Sequence, residues 1–182
     1  MDSRITKTAA YFFSIGLILW LGGIILRAVI SNELLQAGTL EFKPNINPNA
    51  ERTIYSLIAN ASSVVLTGYL LTWISGVIFL ITTTFSPKEH GWLLISAVLL
   101  YFFTPVEVYT FILDVKMMVL NFYGSNDLVE YRKLLIHRLS ALSGVPFIAI
   151  LCYLTILGCI IFQPLRRNRE EIFDENGESE NF

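Results

Sequence analysis

From Thr53 to Thr84 the chain carries no charged side chain. As a helix rising about 1.5 Å per residue, this stretch would be about 48 Å long, well beyond the roughly 30 Å hydrocarbon core of a bilayer. Such a helix must tilt or project past the core. The composition agrees with a membrane setting: 54% of residues are hydrophobic and 15% charged, against about 25% charged in a soluble domain.

Three further apolar stretches accompany it. Residues 8–30 form the first expected helix, interrupted only by Arg27. A secretory signal has an apolar region of roughly 7–15 residues and a small-residue cleavage site. This run is longer and lacks a convincing site, so it reads as a retained helix. The third expected helix covers 91–121 and contains Pro105. The fourth covers 127–162 and stops at Gln163-Pro164, because proline disfavours helical geometry in the residue before it. Residues 1–169 therefore read as a single all-α membrane domain, a four-transmembrane-helix bundle with helices at about 8–30, 53–84, 91–121 and 127–162.

The connections carry turn chemistry. Between the first two helices lies a short outer loop segment, in which Asn32 to Gly38 suit a helical turn. The run Lys43-Pro-Asn-Ile-Asn-Pro-Asn49 is too rich in turn formers for a regular helix. Ser125 or Asn126 suits the N-cap of the last helix, with Asp127 and Glu130 in its first turn. Residues 170–182 are acidic and poor in large apolar groups, the composition of a disordered tail. The lysines and arginines divide almost evenly between the two sides. The cluster Arg166-Arg167-Asn168-Arg169 directly after a helix favours both termini on the cytoplasmic side of the inner membrane.

Small residues mark packing faces. Gly22-Gly23 allows close helix approach in the first helix. Ala61, Gly68, Thr72 and Ser75 form a small-residue stripe in the second. Asn60-Ala-Ser62 matches a glycosylation sequon but lies inside an apolar helix, where a chance match is the simpler reading. Cys152 and Cys159 are seven residues apart on one helix, about 10 Å, too far for a disulfide. No CxxC, Cys/His cluster or HExxH pattern is present, so no protein-built zinc site is expected. The formal charge of -2 offers nothing for a nucleic-acid partner.

Pro105 to Arg138 gathers the ionisable groups. A charge at mid-bilayer costs at least about 2.5–3.5 kcal/mol and normally faces the bundle interior. Glu107, Thr110 and Asp114 share one helix face. The next helix returns from the same side with Arg132, Lys133, His137 and Arg138, and Arg27 reaches the same zone from the first helix. The candidate polar cluster is therefore Arg27, Glu107, Asp114, His137 and Arg138, near the outer face. Glu107–Arg27 and Asp114–Arg138 are the natural pairs, since pairing makes burial tolerable. Mutual neutralisation explains most of this layer. Glu107, two residues after a kinking proline, and His137 carry the alternative of a binding or proton-handling pocket.

At Trp20-Leu-Gly-Gly23 with Arg27, and again from Tyr131 to Pro164, the chain resembles a loose group of small bacterial membrane proteins. The group comprises the CopD-like copper-associated proteins and the HemJ-like protoporphyrinogen oxidases. Members often show a tryptophan-glycine pattern in the first helix and a last helix ending in proline followed by polar residues, as at Phe162-Gln-Pro164. The resemblance spans about a third of the chain and implies haem or copper chemistry by analogy. The group usually places a histidine about two turns before the tryptophan; Phe13 and Ser14 stand there instead.

With no catalytic motif in view, the leading expectation is a non-enzymatic inner-membrane protein. It would serve as an accessory or assembly partner, surrounded by lipid and contacting another membrane protein or a second copy. A haem-, quinone- or metal-handling protein using Glu107, Asp114, His137 and Arg138 is the alternative. A small proton-coupled transporter titrating Glu107 is a third, although no repeated pair of broken helices supports it.

Overall fold

A computed structural model of the protein describes residues 4–36, 38–84, 90–124, 127–140 and 145–165. Among them the regular elements are six α-helices: α1 Arg4–Asn32, α2 Pro48–Thr82, α3 Gly91–Phe102, α4 Thr104–Tyr123, α5 Leu128–Ser140 and α6 Val145–Phe162. Three stretches are long and apolar enough to cross a membrane: Arg4–Asn32, Pro48–Thr82 and Gly91–Tyr123. The described residues form two compact units.

The first unit is built on α1 and α2. The buried residues of α1 include Thr6, Ala9, Gly16, Trp20, Gly23 and Arg27, and those of α2 include Glu51, Tyr55, Ile58, Ser62, Val65, Tyr69, Thr72 and Gly76. Both sets step by three, four or seven residues, the 3.5-residue repeat that keeps one seam facing a partner helix. The two helices run antiparallel. Thr6 bonds Thr82 at one end, Arg27 meets Ser62 at the other, and Gly16 and Gly23 face Thr72 and Val65 between them. Backbones touch at the centre of this seam. A Cβ on Gly68 would stand 2.6 Å from the Trp20 amide nitrogen and 3.0 Å from the Gly16 carbonyl oxygen. Ala61, Thr72 and Ser75 are buried with Gly68, so the small-residue stripe read from α2 is a packing face. In α1, Gly23 packs against Val65 while Gly22 has open space, and the second closely packed glycine is Gly16.

Helix α2 starts at Pro48, five residues before the start expected at Thr53. Asn47 is its N-cap, accepting from the Asn49 amide at 2.9 Å, and Pro48 occupies the first turn, where its missing N–H costs nothing. The preceding loop folds back on itself. Leu34 donates its turn bond to Ser31, the Lys43 amide reaches the Leu34 carbonyl at 3.0 Å, and an isolated bridge joins Leu35 to Phe42. Leu34, Tyr55, Ile58, Met117, Tyr131 and Leu135 then form a buried apolar cluster joining the loop, α2, α4 and α5.

The expected third helix, 91–121, is two helices meeting at Phe103. Pro105 has no N–H for the Tyr101 carbonyl, and its ring crowds that oxygen. The Phe103 amide turns to Tyr101 instead, and the Thr104 hydroxyl donates to the Leu100 carbonyl at 3.5 Å. The expected fourth helix, 127–162, likewise contains two helices. Its first part, α5, carries Glu130, Arg132, Lys133, His137 and Arg138 in thirteen residues, too polar for a membrane span. Asp127 caps it, accepting from Val129 at 2.8 Å; Ser125 and Asn126, the expected caps, lie outside the described residues. The arginines after Leu165 and the acidic tail lie outside them as well.

The second unit contains α3 and α6, which run antiparallel: the Gly91 amide donates to the Leu165 carbonyl at 3.3 Å, and Phe103 meets Tyr153 edge-on at 6.1 Å. Cys159 is buried on this packing face and Cys152 is half-buried, both as free thiols.

The α1–α2 seam gives a direct test. Gly68→Ala should lower thermal stability in detergent by at least about 1–3 kcal/mol, the usual cost of overpacking. Gly22→Ala should leave it unchanged or raise it slightly, because alanine is the better helix former. Equal melting temperatures for the two variants would contradict the close approach at Gly68.

Candidate functional site

The heptad seams of α1, α2, α4 and α5 bring ionisable side chains to two levels of the first unit. The deeper level is centred on Asp114. Its Oδ2 accepts from Arg27 Nη1, and its Oδ1 accepts from Arg138 Nε at 3.0 Å. Arg27 Nη1 also reaches Ser62 Oγ at 3.4 Å. One carboxylate therefore ties α1, α4 and α5 together, with α2 joined through Ser62. Arg27 is 5% exposed and Asp114 is 2% exposed. Ions buried this far persist only when each finds an opposite charge and hydrogen bonds.

Glu107 lies seven residues before Asp114 on the same face of α4, about two turns away. It is buried, and its charge is felt by Arg27. Thr110 sits between the two acids with its hydroxyl donating to the Glu107 carbonyl at 3.0 Å. The expected Asp114–Arg138 pair is present, and Arg27 takes the other oxygen of the same carboxylate.

The second level was not legible from charge placement. Glu51, in the first turn of α2, is fully buried and holds Arg132 of α5 through two bonds of 2.6 Å, Nε to Oε1 and Nη2 to Oε2. Tyr55 donates its hydroxyl to Glu51 Oε1. The Tyr131 ring stacks on Tyr55 at 4.0 Å, its hydroxyl donating to the Tyr55 carbonyl at 3.1 Å. The Arg132 guanidinium lies 5.2 Å from the Phe42 ring centre. Helix α5 lies outside the three long apolar stretches. There, hydrogen bonding to Glu51 raises the pKa of Arg132, so its charge is fixed. Burial and the nearby Asp114 charge raise that of Tyr131, which stays a neutral donor.

His137 points elsewhere. It is exposed, with Nε2 3.3 Å from the Tyr109 hydroxyl. Together with Phe42, Arg132, Lys133, Ile136 and Ser140 it lines an open groove of about 470 Å³. Of the five candidate residues, then, Arg27, Asp114 and Arg138 are in direct contact, Glu107 is in electrostatic reach, and His137 belongs to the groove. Among the described residues, no three His, Cys, Asp or Glu side chains converge as a metal site would require. Met117 is part of the apolar cluster.

No family model, no curated protein and no solved structure matches this chain.

Asp114 has two arginine partners, so its loss should weigh more than the loss of either one. Asp114→Asn strands two guanidinium groups and should cost about 3–5 kcal/mol. Arg138→Gln leaves the Arg27–Asp114 pair intact and should cost less than half as much. Unfolding of both variants in detergent, monitored by circular dichroism, checks this order; a milder Asp114→Asn would contradict it.

Proposed function

We propose that the protein is a multi-pass membrane protein with a non-enzymatic role, as an accessory or assembly partner of another membrane protein. The observation that carries this reading is the inverted distribution of polarity. Large apolar side chains such as Ile18, Ile25, Val29, Ile74 and Ile81 are exposed, whereas Arg27, Glu51, Glu107 and Asp114 are buried. A water-soluble monomer rarely shows contiguous apolar surface on this scale.

Two polar contacts support a definite placement. The Thr6–Thr82 bond and the Arg27–Ser62 contact stand at opposite ends of the α1–α2 pair. Thr6 and Arg27 are 27 − 6 = 21 residues apart, about 31 Å of helix. That matches a hydrocarbon core of roughly 30 Å. The side chains between Lys7 and Arg27 carry no charge. On this placement the first turns of α2, with α5 beside them, project past the core. The buried acids there, Glu51 and Asp114, are matched by Arg132, Arg27 and Arg138, which suits a structural role better than a catalytic one.

The full-length protein purified in mild detergent should elute as a complex containing a second membrane protein at a fixed ratio. A monodisperse monomer would overturn the assembly reading. A Soret band or stoichiometric bound metal would overturn the non-enzymatic one.

For topology, the reading places both termini on the cytoplasmic side of the inner membrane, guided by Arg166-Arg167-Asn168-Arg169 after the last apolar helix. Single cysteines introduced at Arg4 and Lys43, with Cys152 and Cys159 replaced by serine, provide the test. In intact cells a membrane-impermeant maleimide should label position 43 and spare position 4; the reverse pattern would invert the orientation.

A further inference from the structure

We propose that the groove between α5 and the loop before α2 seats the headgroup of an anionic phospholipid. Phe42 and Ile136 supply an apolar wall, Lys133 and His137 two polar groups one helical turn apart, and Ser140 a hydroxyl at the far end. No carboxylate lines the groove, although Glu51 and Asp114 are near neighbours in the fold; both are buried behind it on arginines. Arg132 is held by Glu51, so its charge is already matched. His137 shares a contact with Tyr109, and Ser140 donates to the Ile136 carbonyl at 2.8 Å. Lys133 is exposed and has no ion-pair partner among the described residues. The groove thus presents an uncompensated cation beside apolar surface.

The occupant follows from that chemistry and from position. An anion alone would leave Phe42 and Ile136 uncovered, whereas a phosphodiester attached to glycerol and acyl chains satisfies both kinds of wall. The position rests on the membrane placement proposed above. Arg138 meets Asp114 at the level of Arg27, and Arg132 meets Glu51, which precedes Ser62 by 62 − 51 = 11 residues, about 16 Å of helix. Between those two levels α5 runs through the outer headgroup region, where lipid phosphodiesters lie beside apolar surface.

Native mass spectrometry of the full-length protein, titrated with phosphatidylglycerol or phosphatidylcholine, tests the proposal. Phosphatidylglycerol should be retained preferentially, and Lys133→Gln with His137→Gln should weaken its binding roughly tenfold. Lys116→Gln, an exposed lysine of α4 outside the groove, should not weaken it. Ser140→Trp fills the groove without changing charge and should also weaken binding. The proposal fails if the double variant binds as the native protein does, or if Lys116→Gln loses as much. It also fails if inorganic phosphate alone occupies the site and displaces the lipid. Melting temperatures equal to the native value establish that the variants are folded. If instead the protein is soluble and monodisperse without detergent, the membrane reading itself has failed, a result distinct from any of these.

Discussion

The first unit depends on a single carboxylate. Asp114 sits where α1, α2, α4 and α5 converge, and it accepts from an arginine on each side. In lipid, helices whose surfaces are this apolar would gain little from burying one another, because the tails outside are as apolar as the side chains inside. What fixes register under those conditions is polar matching and close backbone approach. Both are present: the Gly16–Gly68 contact sets how near α1 and α2 lie, and the arginines on Asp114 set how α4 and α5 join them. A shift by one residue would carry Asp114 off the seam and leave Arg27 buried beside apolar groups, at a cost of several kcal/mol. The same penalty that makes buried charge costly therefore selects one arrangement over its neighbours.

The second ion pair has a different neighbourhood. Glu51 and Arg132 form a two-point contact, and Tyr55, Tyr131 and Phe42 surround it with aromatic surface. Planar guanidinium groups suit both partners, since the fork matches a carboxylate and the flat face stacks on a ring. Leu34 and Phe42 from the loop close over the same region. The loop is thus held by side chains despite having almost no regular backbone structure of its own.

Much of this was legible in the sequence, and the exceptions have physical causes. The long apolar stretches, the small-residue stripe of α2, the Asp114–Arg138 pair and the convergence of Arg27 with α4 follow from composition and helical spacing alone. Glu51 did not stand out because it lies in a polar stretch, Asn49-Ala-Glu-Arg52, where an acid is ordinary. The signal that would have found it is the run of heptad positions 51, 55, 58, 62, 65, 69, 72 and 76, together with Asn47-Pro48 as a helix start. His137 and Arg138 are adjacent, so they point about 100° apart on a helix, and only one could join Asp114. The permanent charge of arginine favours Arg138 as that partner. Tertiary packing of Tyr131 and Leu135 decides, since Arg138 lies three residues beyond Leu135 on their seam. The division of the expected fourth helix was harder to see, because Leu134 to Leu142 reads as moderately apolar when helical phase is ignored.

Glu107 completes the accounting. Two arginines against one aspartate would leave the deeper level with a net positive charge in a region of low dielectric. Glu107, buried on the same face of α4, supplies a further negative charge near Arg27. Its place two turns along α4 from Asp114 means that this compensation extends along the helix axis. A second acid placed directly beside Asp114 would repel it, because two carboxylates that close cannot both stay charged cheaply. Separating them by seven residues keeps both acids on the seam without that repulsion. Pro105 then serves this end of α4 in an elementary way: a helix start suits an acidic residue in its first turn, where unpaired amides favour negative charge. The proline that looked like a functional signal beside Glu107 is also what places that carboxylate at a helix N-terminus, the position where burying it costs least.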